Sequence, residues 1–295
     1  MSQKLRQENA LMKRAGRASL LVAMTLIAMK LATFLMTGSV AILSTLFDSA
    51  QDLMTSGVNM VAIHHAVEPA DDKHRFGHGK AQALGSLIQS FIIAGASLFL
   101  LIESIRRFCE PKALTHIGVG ILITVIAIIM TAALVYFQTF VIHKTGSLSI
   151  KADRAHYSGD ILMNIGVIAS MLLSYYMGWM RVDAIFGVCV SFYLFFVVYQ
   201  IVKEAFQMLM DTEMPGSFRR EIKELAYSFP EVTGVYGLKT RQSGSNAFVQ
   251  FCVQLKNTMT LQDVHEITDQ IEKKIQDRFP ETEVIIHPEP ERKHP

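Results

Sequence analysis

Charged residues are scarce in this chain of 295 residues: Asp, Glu, Lys and Arg make up 18% of it, against 51% hydrophobic residues. With a mean hydropathy of +0.30, this composition argues against a single soluble core and favours a polytopic membrane protein. Cysteine is scarce as well. The three cysteines, Cys109, Cys189 and Cys252, are scattered without a CxxC pair, which excludes a disulfide framework and a zinc ribbon.

Two further patterns are missing. The first apolar run, after Lys13, Arg14 and Arg17, is too long for the apolar core of a signal peptide and lacks a small-x-small cleavage pattern, so it is interpreted as a membrane helix. The part after residue 210 is mildly acidic and not basic, which argues against a nucleic-acid partner.

Six apolar segments are long enough to cross a membrane as helices. Their predicted limits are residues 18–36, 40–63, 82–105, 117–142, 152–177 and 182–208. Six spans place both termini on one side, and the basic residues of the connections are concentrated on that side. The positive-inside rule therefore predicts cytoplasmic termini, in a multi-pass protein surrounded by the lipid of the inner (plasma) membrane.

The chain changes character near residue 210. Residues 1–210 are predicted to form the membrane domain, and residues 211–295 a small α+β cytoplasmic domain. The predicted order of elements is helix, strand, strand, helix, strand, over residues 217–229, 234–241, 247–255, 261–279 and 283–287. One face of the sheet would be covered by the helices, and the charged, proline-rich tail from Pro288 is expected to be mobile.

Ionisable residues interrupt two of the predicted spans. Asp48 and Asp52 lie four residues apart in the second span, and His156 and Asp160 repeat that spacing in the fifth. On a helix, residues four apart share one face. A carboxylate within the membrane is expensive and marks an ion path by default. Three carboxylates and one imidazole supply the four O and N ligands of a tetrahedral divalent site, so the pattern predicts a metal site within the membrane.

The connection between the second and third spans contains one carboxylate and two imidazoles within eight residues, at Asp71, His74 and His78. Such a loop can wrap one metal ion. The spacing alone is equally compatible with a loop of charged residues that only face solvent.

Several segments resemble the cation diffusion facilitators, in particular their bacterial ferrous-iron and zinc efflux branch. The resemblance spans nearly the whole chain in order, through DSAQD, PADDKHRFGHGKA, HYSGD, TRQSG and VIIHPEP. It implies a homodimer with six membrane helices per subunit and a metallochaperone-like, ferredoxin-like cytoplasmic domain. It also implies export of divalent metal in exchange for protons, with Asp48, Asp52, His156 and Asp160 as the transport site and a second site in the loop.

The resemblance also implies a metal site in the cytoplasmic domain, where this chain departs from the family pattern. His265 and His287 are present, but Tyr236, Cys252 and Glu289 stand where His, His and Asp are expected. The ligand set predicted here is His265, His287 and Glu289, with Cys252 as a further thiolate candidate. Alternatively, Cys252 is a core residue of a strand and His265 a surface residue of a helix. Lys80 and Asp211 correspond to a family charge pair that joins the two domains.

The expected activity is efflux of a divalent cation by metal/proton antiport, without a prosthetic group. A site of one imidazole and three carboxylates disfavours Cu⁺. Among the divalent ions, Zn²⁺ is the first candidate substrate and Fe²⁺ the second, and Cd²⁺ and Mn²⁺ are also accommodated. His156 is the expected proton carrier, because an imidazole titrates closest to working pH. The alternatives are a membrane-embedded metal sensor and a metal-dependent hydrolase. The absence of HExxH and of an open ligand position counts against the hydrolase.

Overall fold

The computed structural model describes residues 3–37, 40–110, 118–177 and 181–291, without the side chains of some helix residues, Asp48 among them. Long helices dominate the first part of the described chain, and each predicted span falls on one of them. They are α1 (Gln3–Thr37), α2 (Val40–Ala66), α3 (Ala81–Cys109), α4 (Gly118–Thr145), α5 (Leu148–Met177) and α6 (Val182–Leu209). Helix α1 begins well before its predicted span, so the basic N-terminal segment continues the first membrane helix.

Among the described residues, length and apolar composition alone mark four segments as able to cross a membrane, within α1, α3, α4 and α6. The other two long helices, α2 and α5, carry the ionisable pairs predicted to bind metal. Asp52 of α2 and His156 of α5 are buried among the helices and do not face lipid.

The C-terminal domain has the predicted order of elements. It consists of α7 (Gly216–Tyr227), β1 (Val232–Ser243), β2 (Asn246–Leu255), α8 (Leu261–Arg278) and β3 (Thr282–Pro290). The sheet order is β1-β2-β3, with β2 antiparallel to β1 and parallel to β3. Buried apolar residues of α7 and α8, including Ile222, Ile271 and Ile275, pack against Val249 and Phe251 of the sheet. This is the α+β domain that the alternating pattern predicts.

The prediction of a mobile tail from Pro288 is wrong for its first residues. Strand β3 continues through Pro290 in parallel register with β2, and the Glu291 N–H donates to the Leu255 carbonyl over 2.9 Å. Proline lacks an N–H donor but is tolerated on an edge strand, and β3 is an edge of this sheet.

Small residues let α3 pack closely against α2 and α6. A methyl group placed on Gly85 of α3 would lie 2.2 Å from the Cβ atom of Ala62 on α2. A methyl group on Gly187 of α6 would lie 2.1 Å from the Ser104 hydroxyl of α3. Membrane helices rely on such small residues because lipid offers no hydrophobic driving force for their association. The position of α2 is therefore fixed by direct contact with α3.

Candidate metal centres

Helices α2 and α5 bring three of the predicted transport-site residues together. The His156 Nε2 atom lies 3.0 Å from Asp52 Oδ1 and 3.9 Å from Asp160 Oδ2. One ligand atom from each residue lies within 4.8 Å of the other two. Asp52 and His156 are buried, whereas Asp160 is half-buried. This spacing allows the three side chains to contact one ion of the size of Zn²⁺.

The fourth predicted ligand, Asp48, lies in α2 one helical turn before Asp52, and its side chain lies outside the described residues. A set with two or three carboxylates and one imidazole consists of O and N donors without sulfur. Such donors suit divalent ions of hard or borderline character and not Cu⁺.

The loop between α2 and α3 gathers its carboxylate and two imidazoles into a second group. Asp71 Oδ1 lies 3.3 Å from His74 Nδ1, and Asp71 Oδ2 lies 3.4 Å from His78 Nε2. The two imidazoles are in direct contact, with 3.0 Å between His78 Nε2 and His74 Nδ1. Each oxygen of Asp71 therefore faces one imidazole nitrogen, an arrangement in which the three side chains can chelate one ion.

Backbone hydrogen bonds preorganise this loop. The N–H groups of His74 and Lys73 donate to Asp71 Oδ1 over 2.6 and 2.8 Å. The His74 hydrogen bond is the main cause that lowers the pKa of Asp71 from its ordinary value. Asp71 thus stays ionised to lower pH than an ordinary aspartate. A metal ligand must be deprotonated, so the lowered pKa keeps Asp71 available as a ligand.

We predict that His78→Ala removes one bound zinc ion per chain, or weakens zinc binding at this loop at least ~10-fold. The reason is that losing even an outer-shell partner of a bound metal costs roughly 10-fold to 100-fold in affinity. Zinc titration of the purified full-length protein measures the change. His143→Ala is the matched control, since His143 is an exposed imidazole at the end of α4 outside both groups. An unchanged zinc count and affinity in His78→Ala would leave the loop as a solvated charge cluster.

The predicted ligands of the C-terminal domain are more dispersed. His265 lies on α8, where its Nδ1 atom is 3.5 Å from an Asp269 oxygen. On β3, His287 Nε2 lies 3.9 Å from Glu289 Oε1. Among the residues that the structure describes, these side chains do not join a group of three ligands.

Two of the three positions that depart from the family pattern, Tyr236 and Cys252, lie opposite each other in the sheet. Cys252 is paired with Tyr236 across the antiparallel ladder and with His287 across the parallel one. The Tyr236 hydroxyl donates a hydrogen bond to the Glu289 carboxylate. Glu289 is a predicted metal ligand, so a metal bound by its carboxylate would have to compete with the Tyr236 hydroxyl.

The predicted charge pair between the domains is present as an ion pair. The Lys80 ammonium lies 2.9 Å from Asp211 Oδ1 and donates to the Leu209 carbonyl over 3.4 Å. Asp211 has a φ of 52°, the left-handed region that Asp tolerates better than most residues. The same carboxylate oxygen lies 3.6 Å from Arg241 of β1.

Arg241 adds a contact that the sequence did not reveal. Its guanidinium lies 4.6 Å from the ring centre of Phe76, in the loop between α2 and α3, and 4.7 Å from that of Phe248 on β2. The two rings also contact each other edge to face, with 5.7 Å between centres. The loop that holds Asp71, His74 and His78 is therefore packed on the C-terminal domain through its own aromatic residue.

Buried polar residues also lie near the proposed transport site; of these, Asp153, Gln138 and Ser19 were missed by sequence reasoning, whereas Asn59 is predicted from the sequence as a hydrogen-bonding residue between helices. Asp153, Gln138, Asn59 and Ser19 are each completely buried among the helices. Gln138 in the strongly apolar α4 is the signal that could have found them, because a polar residue within a membrane helix usually pairs with one on another helix.

Ionisable side chains buried among helices of membrane length define a protein that handles ions within the membrane. Two family models match the chain. The cation efflux transmembrane domain matches residues 17–210, and the cytoplasmic domain of cation efflux proteins matches residues 214–291. The chain therefore belongs to the cation efflux family, the cation diffusion facilitators, and is a multi-pass membrane transporter with a cytoplasmic C-terminal domain.

Two bacterial cation-efflux pumps support the same assignment. The cation-efflux pumps FieF of Salmonella newport and Salmonella typhimurium are each 40% identical over 280 residues, which is 95% of this chain and 93% of theirs. Among solved structures, the metal-bound C-terminal domain of the CzcD transporter from Thermotoga maritima is 27% identical. The match covers 26% of this chain and 94% of that domain, with a TM-score of 0.25.

Proposed function

We propose that this transporter exports a divalent metal ion from the cytoplasm in exchange for protons. Zn²⁺ is the first candidate substrate and Fe²⁺ the second, and the site also accommodates Cd²⁺ and Mn²⁺. The observation that carries the proposal is the contact of Asp52, His156 and Asp160, within 4.8 Å of one another and inside the membrane domain. With Asp48 of α2 they form the proposed transport site. Metal ions are substrates, and the proposal needs no resident cofactor.

The proposed exchange follows from competition for the same ligands. Deprotonated carboxylates and a neutral imidazole bind the metal on the cytoplasmic side, and protonation on the outer side weakens the site and releases it. His156 is the proposed main proton carrier, because its ring nitrogen contacts both Asp52 and Asp160. Asp71, His74 and His78 form a second proposed metal site at the cytoplasmic mouth. His265, His287, Glu289 and Cys252 remain candidates for a third.

The proposed assembly is a homodimer in the inner membrane with both termini in the cytoplasm. The membrane domain comprises residues 1–210 and the cytoplasmic domain residues 211–295, joined at the Lys80–Asp211 ion pair. Because the chain matches a family of transporters, the alternative of a metal-dependent hydrolase is set aside. A sensor that binds metal without moving it is separated from an exporter by a flux experiment.

We expect purified protein in liposomes that contain a zinc-sensitive and a pH-sensitive dye to move Zn²⁺ and protons in opposite directions. Asp160→Ala should abolish both fluxes, because it removes a carboxylate from the ligand set. Asp277→Ala, at an exposed position of α8, is the matched control and should keep both fluxes. Retained zinc flux in Asp160→Ala would refute this site. Tight zinc binding without flux of either ion in the wild type would identify a sensor.

A further inference from the structure

A second buried carboxylate lies near the proposed transport site without being part of it. Asp153 is on α5, three residues before His156, and is completely buried. Its Oδ2 atom accepts a hydrogen bond from Gln138 Nε2 over 2.7 Å, and the same nitrogen donates to the Ser19 hydroxyl over 3.0 Å. Its Oδ1 atom is equally buried but has no hydrogen-bond partner among the described residues.

Acceptors outnumber donors around Asp153. The Asn59 side-chain amide of α2 lies beside its carboxyl group. Within the described part of the chain, the buried and unpartnered atoms of this cluster are Asp153 Oδ1, Gln138 Oε1, Asn59 Oδ1 and Asn59 Nδ2. Three of these atoms are acceptors and one is a donor. Buried polar atoms in folded proteins are nearly always paired, so the cluster is short of positive or hydrogen-bearing groups.

The neighbouring charges do not make up this shortage. The ionisable groups around Asp153 are Asp52 on α2 and, on its own helix, His156 and the neutral phenol of Tyr157. His156 directs its Nε2 atom to Asp52 and Asp160. Among the described residues of α1 and α4, those that hydrogen-bond within the cluster are the neutral Ser19 and Gln138. An ionised Asp153 would therefore be a buried charge without a counter-ion, which is costly.

We propose that the cluster of Asp153, Asn59, Gln138 and Ser19 binds one monovalent cation, a proton or Na⁺, which neutralises Asp153. A proton on Oδ1 turns this atom into a donor for the Asn59 amide oxygen. Na⁺ would instead be held by the carboxylate and the neutral oxygens. A divalent ion would leave one net positive charge, because the cluster offers a single carboxylate. The charge count thus distinguishes this site from the proposed transport site.

The neutral form of Asp153 matters for the residues one turn further along α5. An additional negative charge near His156 would strengthen cation binding there and oppose release of the metal. A neutral Asp153 leaves Asp52 and Asp160 as the carboxylates that act on His156 among the described residues. The experiment that tests the cluster contains no divalent metal. A negative result for the cluster is therefore distinguishable from a failure of the proposed export.

Infrared spectroscopy separates a protonated carboxyl group from an ionised one by its carbonyl stretch. We expect the full-length protein, purified with a chelator in choline buffer at neutral pH, to show a protonated carboxyl band that Asp153→Asn loses. Asp277→Asn, at an exposed position of the cytoplasmic domain, should retain it. If the cation is Na⁺, replacing choline by Na⁺ at constant ionic strength removes the band. The wild-type Tm then rises, while that of Asp153→Asn does not change.

Asn59→Leu provides a second variant if Asp153→Asn does not fold. It keeps the carboxyl group but removes the proposed acceptor, so the band should shift in frequency or the effect of Na⁺ on the Tm should be lost. The proposal is overturned if the wild type has neither a carbonyl band that depends on Asp153 nor a Tm that depends on Na⁺. It is also overturned if Asn59→Leu leaves both readouts unchanged.

Discussion

Replacing Asp52 by asparagine should weaken zinc binding at the proposed transport site at least ~100-fold and abolish zinc export. The substitution preserves the shape of the side chain but removes its charge. Asp52 Oδ1 lies 3.0 Å from His156 Nε2, at the centre of the proposed ligand set. Outer-shell partners of a metal already contribute roughly 10-fold to 100-fold to affinity, and a direct ligand should contribute no less.

The measurement is a zinc titration of purified protein in the His78→Ala background, which removes the loop site from the signal. Asp277→Asn, a change of the same chemistry at an exposed position, should bind zinc as the parent does. If Asp52→Asn retained parental affinity and export, Asp52 would have to be removed from the ligand set.

Adding one methyl group at Gly85 should destabilise the membrane domain by about 1 to 3 kcal/mol, the usual cost of overpacking. The new Cβ atom would lie 2.2 Å from the Ala62 Cβ atom, so α2 and α3 must move apart. Because α2 carries Asp52, we also expect weaker zinc binding. The thermal unfolding midpoint and a zinc titration of Gly85→Ala measure the two effects.

Gly95→Ala is the matched control, because it is the same substitution on the same helix at a position where a methyl group meets nothing within 4 Å. Its unfolding midpoint should stay unchanged or rise slightly, since alanine favours a helix over glycine. Equal midpoints for the two variants would mean that close packing of α2 and α3 does not limit stability.

The sequence predicts the fold well because its signals are local. Each apolar segment is long enough for a membrane helix, and the alternating strands after residue 210 predict the α+β domain. The spacing of His156 and Asp160 places both on one face of a helix, and the structure adds Asp52 across from them. These features need only the periodicity of the chain and the cost of a charge in the membrane.

The remaining features depend on contacts between distant segments. Nothing near Arg241 in sequence indicates that Phe76 covers its guanidinium, 165 positions earlier in the numbering. The cluster around Asp153 draws on four helices, so no single segment reveals it. The end of β3 was missed because proline usually disfavours a strand, whereas an edge position in a parallel pair accepts it.

Asp211 connects the two domains in two ways, as part of the covalent chain and as the carboxylate between Lys80 and Arg241. The carboxylate therefore acts together with the packing of Phe76 on Arg241, which joins the same two domains. A rotation of the cytoplasmic domain would disturb the ion pair with Lys80 and move Arg241 relative to Phe76. We expect such a rotation to change the position of the loop of Asp71, His74 and His78 as well, because Phe76 belongs to that loop.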